Sequence, residues 1–335
     1  MKFEHILITD PLTEEDVKEI RKFAKKVTYK PNIDPNKIPS YLKDADILII
    51  RSRTKVGKEI LKIAPKLKHI ITATHGIDHI DVVEARKQGI KTHSSPSSTQ
   101  SVAELVFGNL ITLSRHIPRA NKATHNGKWL KNELMGTQLS GKTLGIVGFG
   151  NIGRRVAQVA HFGFAMNVIY YDPYVEPGYA GSLEIRDWTL DLDKNRDTQS
   201  EDNFKIIEGF SNCEKVTYPK LLKQSDVITF HCPYTPQTKH MFGKKEIEKM
   251  KKGALVINLS RGQIVKDNDV VDALKSGKLA AAALDVYEKE PLPGSHPFID
   301  SPNLILTPHI GGQTIEARKN IGQTVIKILK RISKR

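Results

Sequence analysis

Cysteine occurs only twice in this 335-residue chain, at Cys213 and Cys232, which excludes a disulfide framework and any cysteine-rich metal site. No metal is expected. Long apolar runs are missing too: stretches such as "ALVINL" are far too short to span a bilayer, and "MKFEHILITD" lacks the apolar core of a signal peptide. These absences point to a cytoplasmic protein in a reducing compartment, with no membrane partner. No tandem repeat and no low-complexity tract is present. Charge of one sign is in excess: 52 Lys and Arg stand against 37 Asp and Glu, a formal +15. The basic residues are interspersed with acidic ones in helix-like stretches such as "EEDVKEIRKFAKKV", and only the tail "KILKRISKR" is a short basic block. With no nucleic-acid-binding motif beside it, this charge favours a small anionic substrate over nucleic acid. A composition of 39% hydrophobic and 27% charged residues is that of globular domains, and the length suffices for about two.

The periodicity supports that division. "EHILIT", "DILIIR", "HIITAT" and "GIKTH" are short apolar runs separated by helical patterns, an alternation that reads as βαβ units. From about Ser97 one long amphipathic stretch follows, with Pro118 expected to bend or interrupt it. A second series then runs "LGIVGFG", "NVIYYD", "DVITFH", "ALVINLS", "AAALDV" and "LILTPH". The fold expected is α/β, two doubly wound parallel-sheet domains. Residues 173–218 break the rhythm: they are too polar for core strands and too long for a normal connection, and read as a surface excursion carrying a short hairpin.

Gly148, Gly150 and Gly153 form G-x-G-x-x-G directly after the apolar strand "TLGIV" and directly before an amphipathic helix. In that setting the glycines allow a tight turn, an approach of backbone to a pyrophosphate, and close packing of helix on strand. The helix N-terminus supplies N–H groups and a favourable dipole for phosphates. The next strand ends in Asp172, 19 residues beyond Gly153, where a carboxylate accepts hydrogen bonds from ribose hydroxyls and repels a 2′-phosphate. NAD is therefore expected rather than NADP.

Groups for proton chemistry belong at the carboxyl ends of the later strands. "VINLSRG" ends with Arg261, "ALDVYEKEP" carries Asp285 and Glu290, and "ILTPHIGG" presents His309. Arg261 can hold a carboxylate with its planar fork, and His309 can take a hydroxyl proton as hydride leaves, with a carboxylate fixing its tautomer. Taken singly, each has a plainer reading: Arg261 capping strand-end carbonyls, Glu290 as a solvated loop acid, His309 as a satisfied loop histidine. Their arrangement after a nucleotide fingerprint favours chemistry.

These segments, with "YYDP", "VINLSRGQIV" and "TPHIGG", resemble the D-isomer-specific 2-hydroxyacid dehydrogenases over nearly the whole chain. The resemblance implies a catalytic trio of Arg261, Glu290 and His309, with NAD contacted through Gly148, Phe149, Gly150, Asn151, Ile152, Gly153, Tyr171, Asp172, Pro173, His231, Cys232, Pro233, Thr238, Asn258, Ser260, Arg261, Asp285, His309, Gly311 and Gly312. It implies a discontinuous, flavodoxin-like substrate domain of residues 1–97 plus 310–335, a Rossmann NAD-binding domain of residues 98–309, and a homodimer. Within the family, "RSRTKVGKEILKIAPKLKHI" and "LDVYEKEPLPGSHPF" are most similar to the branch that oxidises 3-phospho-D-glycerate. Substrate would then meet Arg51, Ser52, Thr74, His75 and Gly76 besides Arg261 and His309, with Arg53 and Lys131 as further cations for a phosphate. The chain departs from that branch at "TATHGIDHID", where Thr72 stands in place of an Arg, and no serine inhibition through a C-terminal regulatory domain is expected. Glyoxylate, hydroxypyruvate or another 2-oxo acid is the alternative substrate. An NADH-sensing, corepressor-like binding protein is the alternative of another class.

Overall fold

The computed structural model describes residues 2–334 except 75, 96, 176–183, 187–203 and 207–212. In chain order the first elements are β1 (Phe3–Ile8), α1 (Glu14–Ile20), β2 (Ala24–Tyr29), α2 (Ile38–Leu42), β3 (Ile47–Ile50), α3 (Lys58–Lys62), β4 (His69–Thr72), α4 (Val82–Lys87) and β5 (Lys91–Ser94). Then follow α5 (Thr99–Ser114), α6 (Ile117–His125), β6 (Thr143–Val147), α7 (Asn151–Gln158), β7 (Asn167–Tyr171), β8 (Glu184–Arg186), β9 (Phe204–Ile206) and β10 (Cys213–Lys215). The last are α8 (Tyr218–Gln224), β11 (Val227–Phe230), α9 (Lys244–Lys249), β12 (Ala254–Asn258), α10 (Asp267–Lys275), β13 (Leu279–Leu284), β14 (Leu304–Leu306) and α11 (Ile315–Ser333).

The chain divides into an N-terminal unit, Met1–Ser101 with Gly311–Arg335, and a central unit, Val102–Ile310. In the N-terminal unit, five parallel strands run in the order β2-β1-β3-β4-β5. β3 reads Ile-Leu-Ile-Ile and is buried on both faces, the near-continuous apolar run expected of a parallel strand covered by helices. One face packs α11 through Ile321, Val325 and Ile328 against Ile49, Ile71 and Ala73. The opposite face is closed by Leu42, Leu61 and Ala85 on Leu48 and Ile70.

The central unit holds seven parallel strands in the order β10-β7-β6-β11-β12-β13-β14, the α/β architecture expected. The long amphipathic stretch breaks between α5 and α6, with His116 left-handed at φ 52° and Pro118 in the first turn of α6, where its missing N–H costs no hydrogen bond. Part of residues 173–218 lies outside the described residues. Within that segment β8 and β9 pair antiparallel, and the residues that join them lie outside the described residues. β10 differs from the sequence reading: Cys213–Lys215 add an edge strand, parallel to β7, where only excursion was expected. An edge strand has one partner and one wet flank, so "CEK" needs only Cys213 inward, and its polarity hides it.

Candidate active site

The glycine turn comes first because its geometry is local. Gly148 follows β6 with φ 94°, and a Cβ there would lie 2.6 Å from the N of Cys232 and 2.7 Å from the carbonyl carbon of His231. At Gly153 a Cβ would collide with the carbonyl oxygen of Gly148, so α7 can rest on the turn only through glycine. Gly150 is different: a Cβ there would meet nothing within 4 Å. The chain's own packing leaves that space open. Gly150, the N-cap of α7, has no side chain to cap it, and among the described residues no side chain accepts from the first N–H groups, which suit an acceptor from outside. Asp172 Oδ2 accepts the N–H of Phe149 and Oδ1 that of Tyr174, both at 2.8 Å, which leaves further acceptor sites on a group with about four. These features fit a dinucleotide: the turn would hold the pyrophosphate, and the carboxylate would accept from ribose hydroxyls.

The other residues expected around the cofactor fall on the same strand ends. Phe149 is fully buried and stacks on Tyr170 with centroids 3.8 Å apart, so only its backbone faces the turn. Tyr171 tilts against Tyr218, Pro173 is exposed, and Asn151 and Ile152 open α7. His231 Nε2 shares a hydrogen bond with Thr229 Oγ1 at 3.0 Å; burial pushes it down to about 3, so its ring is neutral. Burial also pushes the Cys232 thiol up to about 12, which keeps it protonated. Thr238 Oγ1 donates to the carbonyl of Pro233 at 2.7 Å and closes that turn.

Arg261, Glu290 and His309, the three residues expected to carry the chemistry, follow β12, β13 and β14. Asn258 is 1% exposed; its Nδ2 donates to the carbonyl of Arg261 and its Oδ1 accepts the N–H and hydroxyl of Ser260, bending the chain after β12. Arg261 Nη1 donates to the carbonyl of Ser260 at 2.7 Å. A Cβ at Gly262 would overlap the backbone of Tyr287 and Glu288, and this contact brings the Arg261 turn beside the loop carrying Glu290. His309 Nδ1 and Glu290 Oε2 lie 2.9 Å apart, and Glu290 Oε1 accepts the N–H of Tyr287 at 3.1 Å. The hydrogen bond from Glu290, the largest influence, raises the His309 pKa above its ordinary value, and burial and Arg261 only partly oppose it. Burial, the largest influence on Glu290, pushes upward, but the His309 bond and charge, the Tyr287 N–H and Arg261 outweigh it and hold the carboxyl below its usual range. The pair is therefore biased toward imidazolium and carboxylate.

Asp285 stands in a role the sequence did not reveal. It is 1% exposed, and its Oδ1 accepts both the Thr307 hydroxyl at 2.6 Å and the Ile310 N–H at 2.8 Å. The two donors bracket His309, whose φ of 55° is left-handed. Tyr287 adds a third tie, its hydroxyl donating to Leu284 and Thr307 carbonyls. The histidine turn is thus held from β13, by residues 20 or more positions away in sequence.

The remaining expected residues, Lys131 apart, lie in the N-terminal unit. Arg51 and Ser52 follow β3, Thr74 donates to the carbonyl of Gly76 at 2.7 Å, and Gly311 and Gly312 precede α11. His75 lies outside the described residues. Thr72 is fully buried, its hydroxyl shared with Thr74 Oγ1 and His79 Nε2. Arg53 bonds to Asn32 Oδ1, and Lys131 is exposed in the central unit. Among the described residues no group of three or more His, Cys, Asp or Glu is placed to hold a metal, and no helix is long and apolar enough to cross a membrane.

A glycine-rich βα turn, an acidic group ending the next strand and a His–Glu pair at later strand ends define a dinucleotide-dependent oxidoreductase fold. Comparison makes this specific: residues 107–194 and 195–311 match the profile of the D-isomer specific 2-hydroxyacid dehydrogenase, NAD binding domain. The chain belongs to that family. It is 36% identical over 328 residues to D-3-phosphoglycerate dehydrogenase of Methanocaldococcus jannaschii, covering 98% of this chain and 57% of the relative. To glyoxylate reductase of Thermococcus litoralis it is 36% identical over 334 residues, covering 97% and 92%. Among solved structures, a glyoxylate reductase from Paecilomyes thermophila superposes with a TM-score of 0.84 at 26% identity, covering 100% and 97%. The chain thus spans little more than half the length of the archaeal phosphoglycerate dehydrogenase and nearly all of the reductases.

Proposed function

We propose that this protein oxidises 3-phospho-D-glycerate to 3-phosphooxypyruvate with NAD. The observation that carries the chemistry is the His309–Glu290 pair beside Arg261, in the unit that bears the glycine turn. When bound, NAD supplies the hydride acceptor. Arg261 holds the substrate carboxylate; neutral His309 takes the C2 hydroxyl proton at Nε2 while the C2 hydrogen departs as hydride, and Glu290, accepting from Nδ1–H, stabilises the positive charge that grows on the ring. In the reverse direction the imidazolium returns the proton. Asp285 keeps His309 in register through Thr307 and Ile310. The phosphate preference draws support from the M. jannaschii relative and from Arg51 at the end of β3. The T. litoralis relative, of similar identity and fuller coverage, favours a second reading, reduction of glyoxylate or hydroxypyruvate. Comparing kcat/KM for 3-phospho-D-glycerate, D-glycerate and D-lactate with NAD and NADP, and for glyoxylate with NADH and NADPH, tests both, and preference for an unphosphorylated acid overturns the first.

We further infer a homodimer formed through the central unit. Ile111, Ile117, Trp129 and Met135 are 37%, 44%, 81% and 83% exposed within one short run of chain, more apolar surface than an isolated subunit leaves wet without cause. Light scattering on the purified chain tests this, and a monomer at micromolar concentration contradicts it.

A further inference from the structure

The proton chemistry above leaves one charge cluster of the N-terminal unit unused. Asp10 follows β1 and Arg51 follows β3, so both sit at carboxyl ends of parallel strands. Asp10 is 2% exposed, and its Oδ2 accepts the backbone N–H groups of Arg51 and Thr54. That carboxylate is engaged in fixing the 51–54 loop. Among the described residues, neither a hydrogen bond nor an ion pair reaches the Arg51 guanidinium.

A second guanidinium arrives from the other end of the chain. α11 joins Ile8, Ile49, Ile71 and Ala73 in one apolar cluster through Ile321 and Val325, and its Gly322 abuts Asp16 in the first turn of α1, the helix that follows β1 and Asp10; Arg318 lies one turn before Gly322. Arg318 Nη2 donates to an uncharged group, Gln313 Oε1, at 2.9 Å, and no ion pair reaches it among the described residues. Burial and then the charge of Arg318 lower the pKa of Arg51, and Asp10 offsets them only in part. Two cations facing one committed carboxylate leave a positive charge that an oxyanion would neutralise.

Resting on the substrate reading above, we propose that Arg318 is a specificity-determining residue that joins Arg51 in a two-guanidinium clamp for the phosphate of a phosphorylated 2-hydroxy acid. Two planar forks suit three phosphate oxygens better than one fork does, and they favour a dianion over a neutral hydroxymethyl end. The charge comes from α11, since the buried Thr72 supplies none on β4.

The test compares Arg318→Gln and Arg318→Lys with the unaltered protein on 3-phospho-D-glycerate and on D-glycerate, which lacks only the phosphate. The ratio of the two kcat/KM values should fall about ten- to a hundredfold in Arg318→Gln, through KM, the range for one charge-assisted hydrogen bond, with partial recovery in Arg318→Lys. An equal fall on both substrates, or none, overturns the clamp. Inorganic phosphate provides a readout independent of turnover: it should raise the Tm of the unaltered protein more than that of Arg318→Gln. Equal stabilisation of both overturns the clamp. A protein that turns over neither substrate but shows the Arg318-dependent shift keeps the clamp while the proposed reaction falls.

Discussion

Replacing Glu290 with Gln isolates the charge of the pair from its geometry. The amide oxygen can still accept from His309 Nδ1–H over the 2.9 Å separation, so the tautomer and ring position persist while the negative charge is lost. In the unaltered protein that bond is the largest influence raising the His309 pKa; without the charge, burial and Arg261 are left to lower it. A charge-assisted hydrogen bond contributes about 1.5–3 kcal/mol. The His309 and Glu290 side chains are 47% and 38% exposed, so solvent screening selects the lower end, about 1.5 kcal/mol or tenfold. The sign differs by direction. Reduction needs the imidazolium, so its kcat/KM should fall about tenfold near neutral pH. Oxidation needs the neutral ring, so its acid limb should move to lower pH. Steady-state kcat/KM from pH 5 to 10 in both directions reads this, and an inflection that stays in place or moves upward refutes the assignment of the pair.

Alanine at Gly150 should leave stability within a few tenths of a kcal/mol but weaken NADH binding, because its methyl enters space that the chain leaves open; calorimetric titration beside thermal denaturation checks this. Alanine at Gly148 should destabilise by about 1–3 kcal/mol, since φ 94° and the 231–232 backbone both oppose a Cβ; an unchanged Tm contradicts it. Thr307→Val removes one of two donors to Asp285 Oδ1 and should lower kcat with NADH affinity near normal, as single-turnover kinetics would show. His93, bonded to His69 at 3.1 Å, is pushed down to about 4 by burial and neighbouring cations. The unfolded chain therefore binds more protons, and stability contributed by neutral His93 is lost as pH falls from about 6.5 toward 4. His93→Gln should flatten that part of the urea-denaturation pH profile, and an unaltered profile counts against the shift.

What sequence exposes well is contiguous. The G-x-G-x-x-G turn, the apolar strands and Asp172 each depend on neighbours within a few residues, so pattern alone places them. Arg261 and His309 each lie three residues beyond an apolar strand and Glu290 six beyond another, so pattern alone places all three in loops at strand carboxyl ends. β10 escaped because an edge strand needs one inward residue, here Cys213, and three polar-flanked residues give no period. The Asp285 clamp escaped because its donors lie 22 and 25 residues away and are joined only by parallel pairing of β13 with β14. Nothing adjacent to Gly262 in sequence marks its role, which comes from the backbone of Tyr287 and Glu288 packed against it. Nothing local sets Arg318 apart from the other cations of α11, because packing of Ile321 and Val325 in the sheet's apolar cluster decides where it lies.

The most direct measurement follows the hydrogen itself. With 3-phospho-D-glycerate deuterated at C2, the unaltered protein should deliver deuterium to NAD, and His309→Gln should bind NADH with near-normal affinity yet deliver almost none. Deuterium transfer undiminished in that variant, or none from any deuterated D-2-hydroxy acid with the unaltered protein, would contradict the account.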